Sequence, residues 1–72
     1  MKYKIHYHET ELKAWPYAVQ INFTDPAMIN FSLRNRINDW LQLNRIRYNY
    51  SNNYQWYFKN QRDVTMFVVR WS

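Results

Sequence analysis

The absence of glycine constrains this chain more than any other feature of it. Glycine enters the left-handed backbone region without steric cost, so every tight turn here must be made by residues that carry a Cβ. Asparagine tolerates that region next best and recurs along the chain, at Asn22, Asn30, Asn35, Asn38, Asn44, Asn49, Asn52, Asn53 and Asn60. The adjacent pair Asn52-Asn53 is the strongest turn signal. The same absence removes the phosphate-cradling loops of P-loop proteins, dinucleotide-binding folds and kinases, all of which depend on glycine.

Cysteine is absent too, which excludes disulfides and thiolate metal sites. A chain of 72 residues buries a modest share of its surface, so its stability must come from packing. Aromatic residues make up 21% of the chain and supply large apolar areas for that purpose. One domain spanning residues 1–72 is expected. The segment Met1-Lys2-Tyr3-Lys4-Ile5-His6 has no apolar run of the secretory kind, and no stretch is long enough to cross a bilayer. A soluble, cytosolic protein without membrane contact is the expectation.

The apolar pattern predicts an α+β domain. Lys2 to His8 alternates, with Tyr3, Ile5 and Tyr7 on one side. After Pro16 the alternation resumes, placing Tyr17, Val19, Ile21 and Phe23 opposite Ala18, Gln20 and Asn22. Thr24-Asp25-Pro26 is a helix start, because Thr24 or Asp25 can cap exposed N–H groups and proline suits the first turn. The helix is predicted to run to Leu43 on the stripe Ile29, Leu33, Ile37, Trp40 and Leu41, with Phe31 off it and Asn44 as C-cap. Arg45–Tyr50 and Tyr54–Lys59 read as a hairpin, with Ile46, Tyr48, Tyr50, Tyr54, Trp56 and Phe58 inward. The last segment fits two templates: Val64, Phe67, Val68 and Trp71 suit a helix, and Phe67, Val69 and Trp71 suit a strand. Its β-rich residues favour one helical turn over Gln61–Met66 and then a strand from Phe67 to Trp71. No internal repeat is visible. The predicted architecture is β-β-α-β-β-turn-β, an antiparallel sheet with one amphipathic helix across one face and the other face uncovered.

Candidate sites follow from that uncovered face. The net charge of +5 favours an acidic partner. Arg45, Arg47, Asn49, Gln55, Tyr57, Lys59 and Arg70 are expected on the open face. Arginine and tyrosine are hot-spot residues of protein interfaces, and a basic sheet with an exposed ring can also stack bases and neutralise phosphates. His6 and His8 share a strand face near Glu9 and Glu11, which raises zinc as an option, but Lys2 and Lys4 beside them repel cations and further ligands are missing. No cofactor is expected. The serines, Ser32, Ser51 and Ser72, lie in no nucleophile-elbow context, so catalysis is not expected either.

The C-terminal residues Phe58, Asp63-Val64, Met66-Phe67 and Val69-Arg70-Trp71 resemble the tail of small uncharacterised bacteriophage proteins. There the pattern is Phe, a short acidic turn, Asp-Ala, Phe, then an aliphatic-Arg-Trp ending. Val64 replaces the usual small residue, and Lys59 and Arg62 flank the turn. The resemblance covers about fifteen residues and implies a viral origin, hence the host cytoplasm, without implying a specific activity. The functional expectation is a non-catalytic phage accessory protein that binds and modulates a host protein. The alternative is a single-stranded nucleic-acid-binding module on the basic, aromatic face. A small metal-dependent enzyme around His6, His8, Glu9 and Glu11 comes third. Lys2, Lys4 and Arg70 are the few charges that block the sheet edges, so a homo-oligomer is a further option.

Overall fold

The computed structural model describes residues 3–25, 31–51 and 54–72. The order is β1 (Tyr3–Glu9), β2 (Tyr17–Phe23), α1 (Phe31–Leu43), β3 (Tyr48–Ser51), β4 (Gln55–Phe58) and α2 (Gln61–Trp71). The four strands form one sheet in the order β1-β2-β4-β3, and every described pairing is antiparallel. The predicted helix start leads into residues 26–30, outside the described residues, as are Lys2, Ile29, the side chain of Phe31 and the Asn52-Asn53 turn.

Strand alternation sorts the sheet into two faces. The inner rows place Tyr7, Val19, Trp56 and Tyr50 side by side, and Glu9, Tyr17, Phe58 and Tyr48 in the next row. Both helices lie on that face. Ile37 and Leu41 of α1 and Val64, Phe67 and Trp71 of α2 close a buried cluster over Val19, Ile21, Trp56 and Phe58. Edge-to-face rings dominate the cluster: Phe67 meets Phe58 at 5.6 Å and Trp40 at 6.4 Å, and Trp40 meets Trp71 at 6.0 Å. The predicted stripe on α1 holds for Leu33, Ile37, Trp40 and Leu41, all buried or half-buried.

The end of the chain corrects the sequence reading. Phe67–Trp71 belongs to α2, so the architecture is β-β-α-β-β-α with two helices, not one. Val64, Phe67 and Trp71 point inward at helical spacing, whereas Val69, inward in a strand, is 77% exposed. The physical reason is coverage. One helix cannot shield an aromatic face four strands wide, and β-rich local composition yields to that packing. Asp63 in the first turn and Arg70 in the last also complement the helix dipole.

Without glycine, two turns are made by bulky residues in the left-handed region, Arg45 at φ 55° and Tyr54 at φ 56°. Arg45 terminates α1. Its N–H bonds the Gln42 carbonyl at 3.1 Å, and the Ile46 N–H bonds the Leu41 carbonyl at 3.0 Å, the paired bonds of a Schellman motif. Asn44, the predicted cap, donates its side-chain amide to the Trp40 carbonyl at 2.8 Å. Ile46 and Leu41 then pack together in the core. Tyr54 leads into β4, and its buried ring meets Phe23 at 4.9 Å and Trp56 at 5.7 Å.

The halves β1–α1 and β3–α2 are not independent, yet the topology repeats. The unit β1-β2-α1 and the unit β3-β4-α2 have the same order, and β2 pairs antiparallel with β4 at the centre. No residue pattern announces this duplication, since the first pair of strands has seven residues each and the second pair four.

Candidate partner-binding surfaces

The sheet face opposite the helices carries no described element. Its rows are His8, Ala18, Tyr57 and Asn49, then His6, Gln20, Gln55 and Ser51, then Lys4 with Asn22. No carboxylate stands at these positions. Ala18 is 0% exposed here because larger neighbours close over its methyl group. The Gln55 amide nitrogen lies 3.3 Å from Nε2 of His8, joining β4 to β1 across β2. The face is therefore a polar carpet of amides and imidazoles, half-covering one ring, Tyr57.

The sequence-selected residues do not gather on it. Asn49 and Tyr57 do lie there, together with Gln55. Asn49 Oδ1 accepts the Tyr50 backbone N–H at 3.0 Å, which occupies it locally. Lys59 follows β4 and sits over the Trp15 ring at 4.8 Å. Arg45 and Arg47 precede β3 rather than belonging to it, and Arg45 is committed to ending α1. Arg70, expected on a sheet strand, is on α2 with its guanidinium 4.5 Å from the Trp71 ring centre. The alternation that placed these cations on one face requires continuous strands, and the chain leaves the sheet at each of those positions.

The carboxylate and imidazole cluster disperses as well. His6 and His8 face the open side, while Glu9 shares the helix side with Tyr7. Partial burial pushes the Tyr7 phenol above its ordinary 10.0, and the charge of Glu9, the nearby Tyr17 and a hydrogen bond to Glu9 push the same way. Among the described residues no group of three or more His, Asp or Glu side chains is placed to hold a metal ion. No described helix is long and apolar enough to cross a membrane.

A second surface was not legible in the residues. On the helix side, α2 leaves a groove of about 280 Å³ beside β1, lined by Tyr7, Gln61, Val64, Thr65, Val68 and Val69. Tyr7, predicted inward, is 42% exposed there. The helical reading of Val64 and Val68 was the available signal, and the strand reading of the same segment hid it. At the margin, Thr10 shapes the β1–β2 connection: its hydroxyl donates to the Trp15 carbonyl and accepts the Leu12 N–H at 3.1 Å.

No family model, curated protein or solved structure matches this chain.

Proposed function

We propose that this chain is a non-catalytic binding protein whose partner is another protein, and that it acts as a phage accessory protein on a host protein in the host cytoplasm. The observation that carries the protein-binding part is the groove beside α2, where Tyr7, Val68 and Val69 present apolar surface to solvent. Exposed apolar surface that is contiguous and concave suits a protein partner, whereas isolated exposed residues need no explanation. The viral and host parts rest on the C-terminal residue resemblance alone.

Nucleic acid is the less favoured partner. Single-stranded binders line a basic groove with several exposed rings for base stacking. Among the described residues the open sheet face offers one phenol ring, Tyr57, beside the smaller imidazoles of His6 and His8, and Arg45, Arg47 and Arg70 lie off the strands that form it.

The test is affinity capture from bacterial lysate, with the wild-type chain and a Val69→Asp variant side by side. The reading expects one protein retained through moderate salt by the wild type and lost by the variant. Retention of single-stranded nucleic acid that collapses steeply with salt, with no protein dependent on Val69, overturns it.

A further inference from the structure

We infer that the outer edge of β1 is a strand-addition site, and that it takes an extended protein segment in which apolar residues alternate with acidic ones. The inference rests on the protein-binding reading above and gives that partner its chemistry.

The edge itself is the first ground. β1 pairs with β2 over seven residues in one unbroken register, from Tyr3 opposite Phe23 to Glu9 opposite Tyr17. Among the described residues nothing pairs with its other side. It contains no proline and no bulge, two of the devices that blunt an edge; its one lysine, Lys4, guards it against a second copy but not against an acidic segment. The opposite edge, β3, is protected: it has four residues, and the Asn49 side chain already takes the Tyr50 N–H.

The two flanks of the edge differ in chemistry. On the helix side lies the apolar groove of Tyr7, Val64, Val68 and Val69. On the other side stand Lys4, His6 and His8, all exposed, on a face without carboxylates. A strand added to β1 sends successive side chains to alternate flanks. Main-chain hydrogen bonds would hold it, and the two flanks would select its residues. The groove asks for apolar side chains, and the other flank, with the Lys4 ammonium and the hydrogen-bonding imidazoles of His6 and His8, asks for acidic ones. A second copy of this chain fits the groove with its own Tyr3, Ile5 and Tyr7. It also brings two Lys4 side chains onto one flank, between chains that each carry a net charge of +5.

The probe is a blocked synthetic peptide of alternating valine and glutamate, added to the full chain. A valine–lysine peptide and a block peptide of the same valine–glutamate composition serve as comparisons. Amide exchange by NMR and a binding isotherm are the readouts. The valine–glutamate peptide is expected to slow exchange in β1 and to bind roughly tenfold tighter than either comparison. Lys4→Glu, a surface change that leaves the fold intact, is expected to reduce that preference by a similar factor. Equal binding of all three peptides, or protection that spares β1, overturns the inference. So does β1 protection that grows with protein concentration in the absence of peptide, because the occupant is then a second copy. If lysate capture succeeds and depends on Val69 while the peptide series shows no β1 protection, this inference fails and the protein-binding reading survives it.

Discussion

At the scale of single residues, the glycine-free chain places side chains where a bare backbone is usual, and the two positive-φ positions among the described residues resolve that conflict differently. Arg45 gains nothing evident from its Cβ, being exposed at the end of α1. Arg45→Gly is expected to stabilise the fold by about 1 kcal/mol, the order of the left-handed penalty for a non-glycine residue. Urea unfolding of the variant measures it. Tyr54 behaves in the opposite way, because its ring is buried against Phe23 and Trp56. Tyr54→Gly relieves the backbone but removes that packing, and is expected to destabilise by about 3 kcal/mol. Burial also raises the Tyr54 phenol above its ordinary 10.0, and Tyr50 adds to the rise while Arg34 opposes it. The folded chain then holds this proton more tightly than the unfolded chain. Its contribution is intact below pH 10.0 and lost as pH climbs through the folded value. Alkaline denaturation followed by circular dichroism should show that loss, and Tyr54→Phe should flatten it.

At the scale of elements, α1 and α2 are tied to the sheet by different means. The Trp56 indole, fully buried at the sheet centre, donates to Asn38 Oδ1 of α1 at 2.8 Å. Asn38→Leu strands that donor and is expected to cost about 1–3 kcal/mol, measured by thermal or urea unfolding. The indole N–H of Trp71 on α2, by contrast, has no partner among the described residues. Trp71→Phe removes an unpaired donor as well as ring area, so it should destabilise less than Trp56→Phe. The helical state of Phe67–Trp71 has its own test at Val69. In α2 that residue faces solvent, and Val69→Asp should change stability by about 0.5 kcal/mol or less. In a strand over the same residues it would face the core and be strongly destabilising.

At the scale of the whole molecule, the two β-β-α units complete one core and neither completes one alone. β2 and β4 pair at the centre of the sheet, and Val19 and Trp56 are partners in that pairing, both fully buried. Cutting between the units would expose that seam along its length. Peptides covering residues 1–44 and 45–72 are therefore expected to lack near-ultraviolet dichroism separately; a signal from either peptide alone would contradict the shared core. The same arrangement makes the molecule two-sided: both helices crowd one face of the sheet, and among the described residues the other face and the outer edge of β1 stay uncovered.

How much of this was legible in the residues follows from the range of the forces involved. The sequence places the ends of β2 as the structure has them, and the predicted inward residues Tyr3, Ile5, Tyr17, Val19, Ile21, Phe23, Tyr48, Tyr50, Trp56 and Phe58 all join the core while Tyr7 stays exposed at its edge, because alternation is a local signal that the pleat obeys wherever a strand forms. The lower half of α1 was equally clear from its stripe. Alternation failed at Arg45, Arg47 and Arg70, where it was extended past the sheet. The amino-acid sequence by itself determined the class of the fold, the aromatic interior and the exclusion of glycine-loop and thiolate chemistry, since these depend on residue type and short-range period. The helical state of Phe67–Trp71, the pairing of β2 with β4, the doubled β-β-α plan and the groove beside β1 were decided by the tertiary structure. Each depends on which surfaces must be covered once the strands have met, and a run of valines and aromatics fits a helix or a strand equally well until that demand is set.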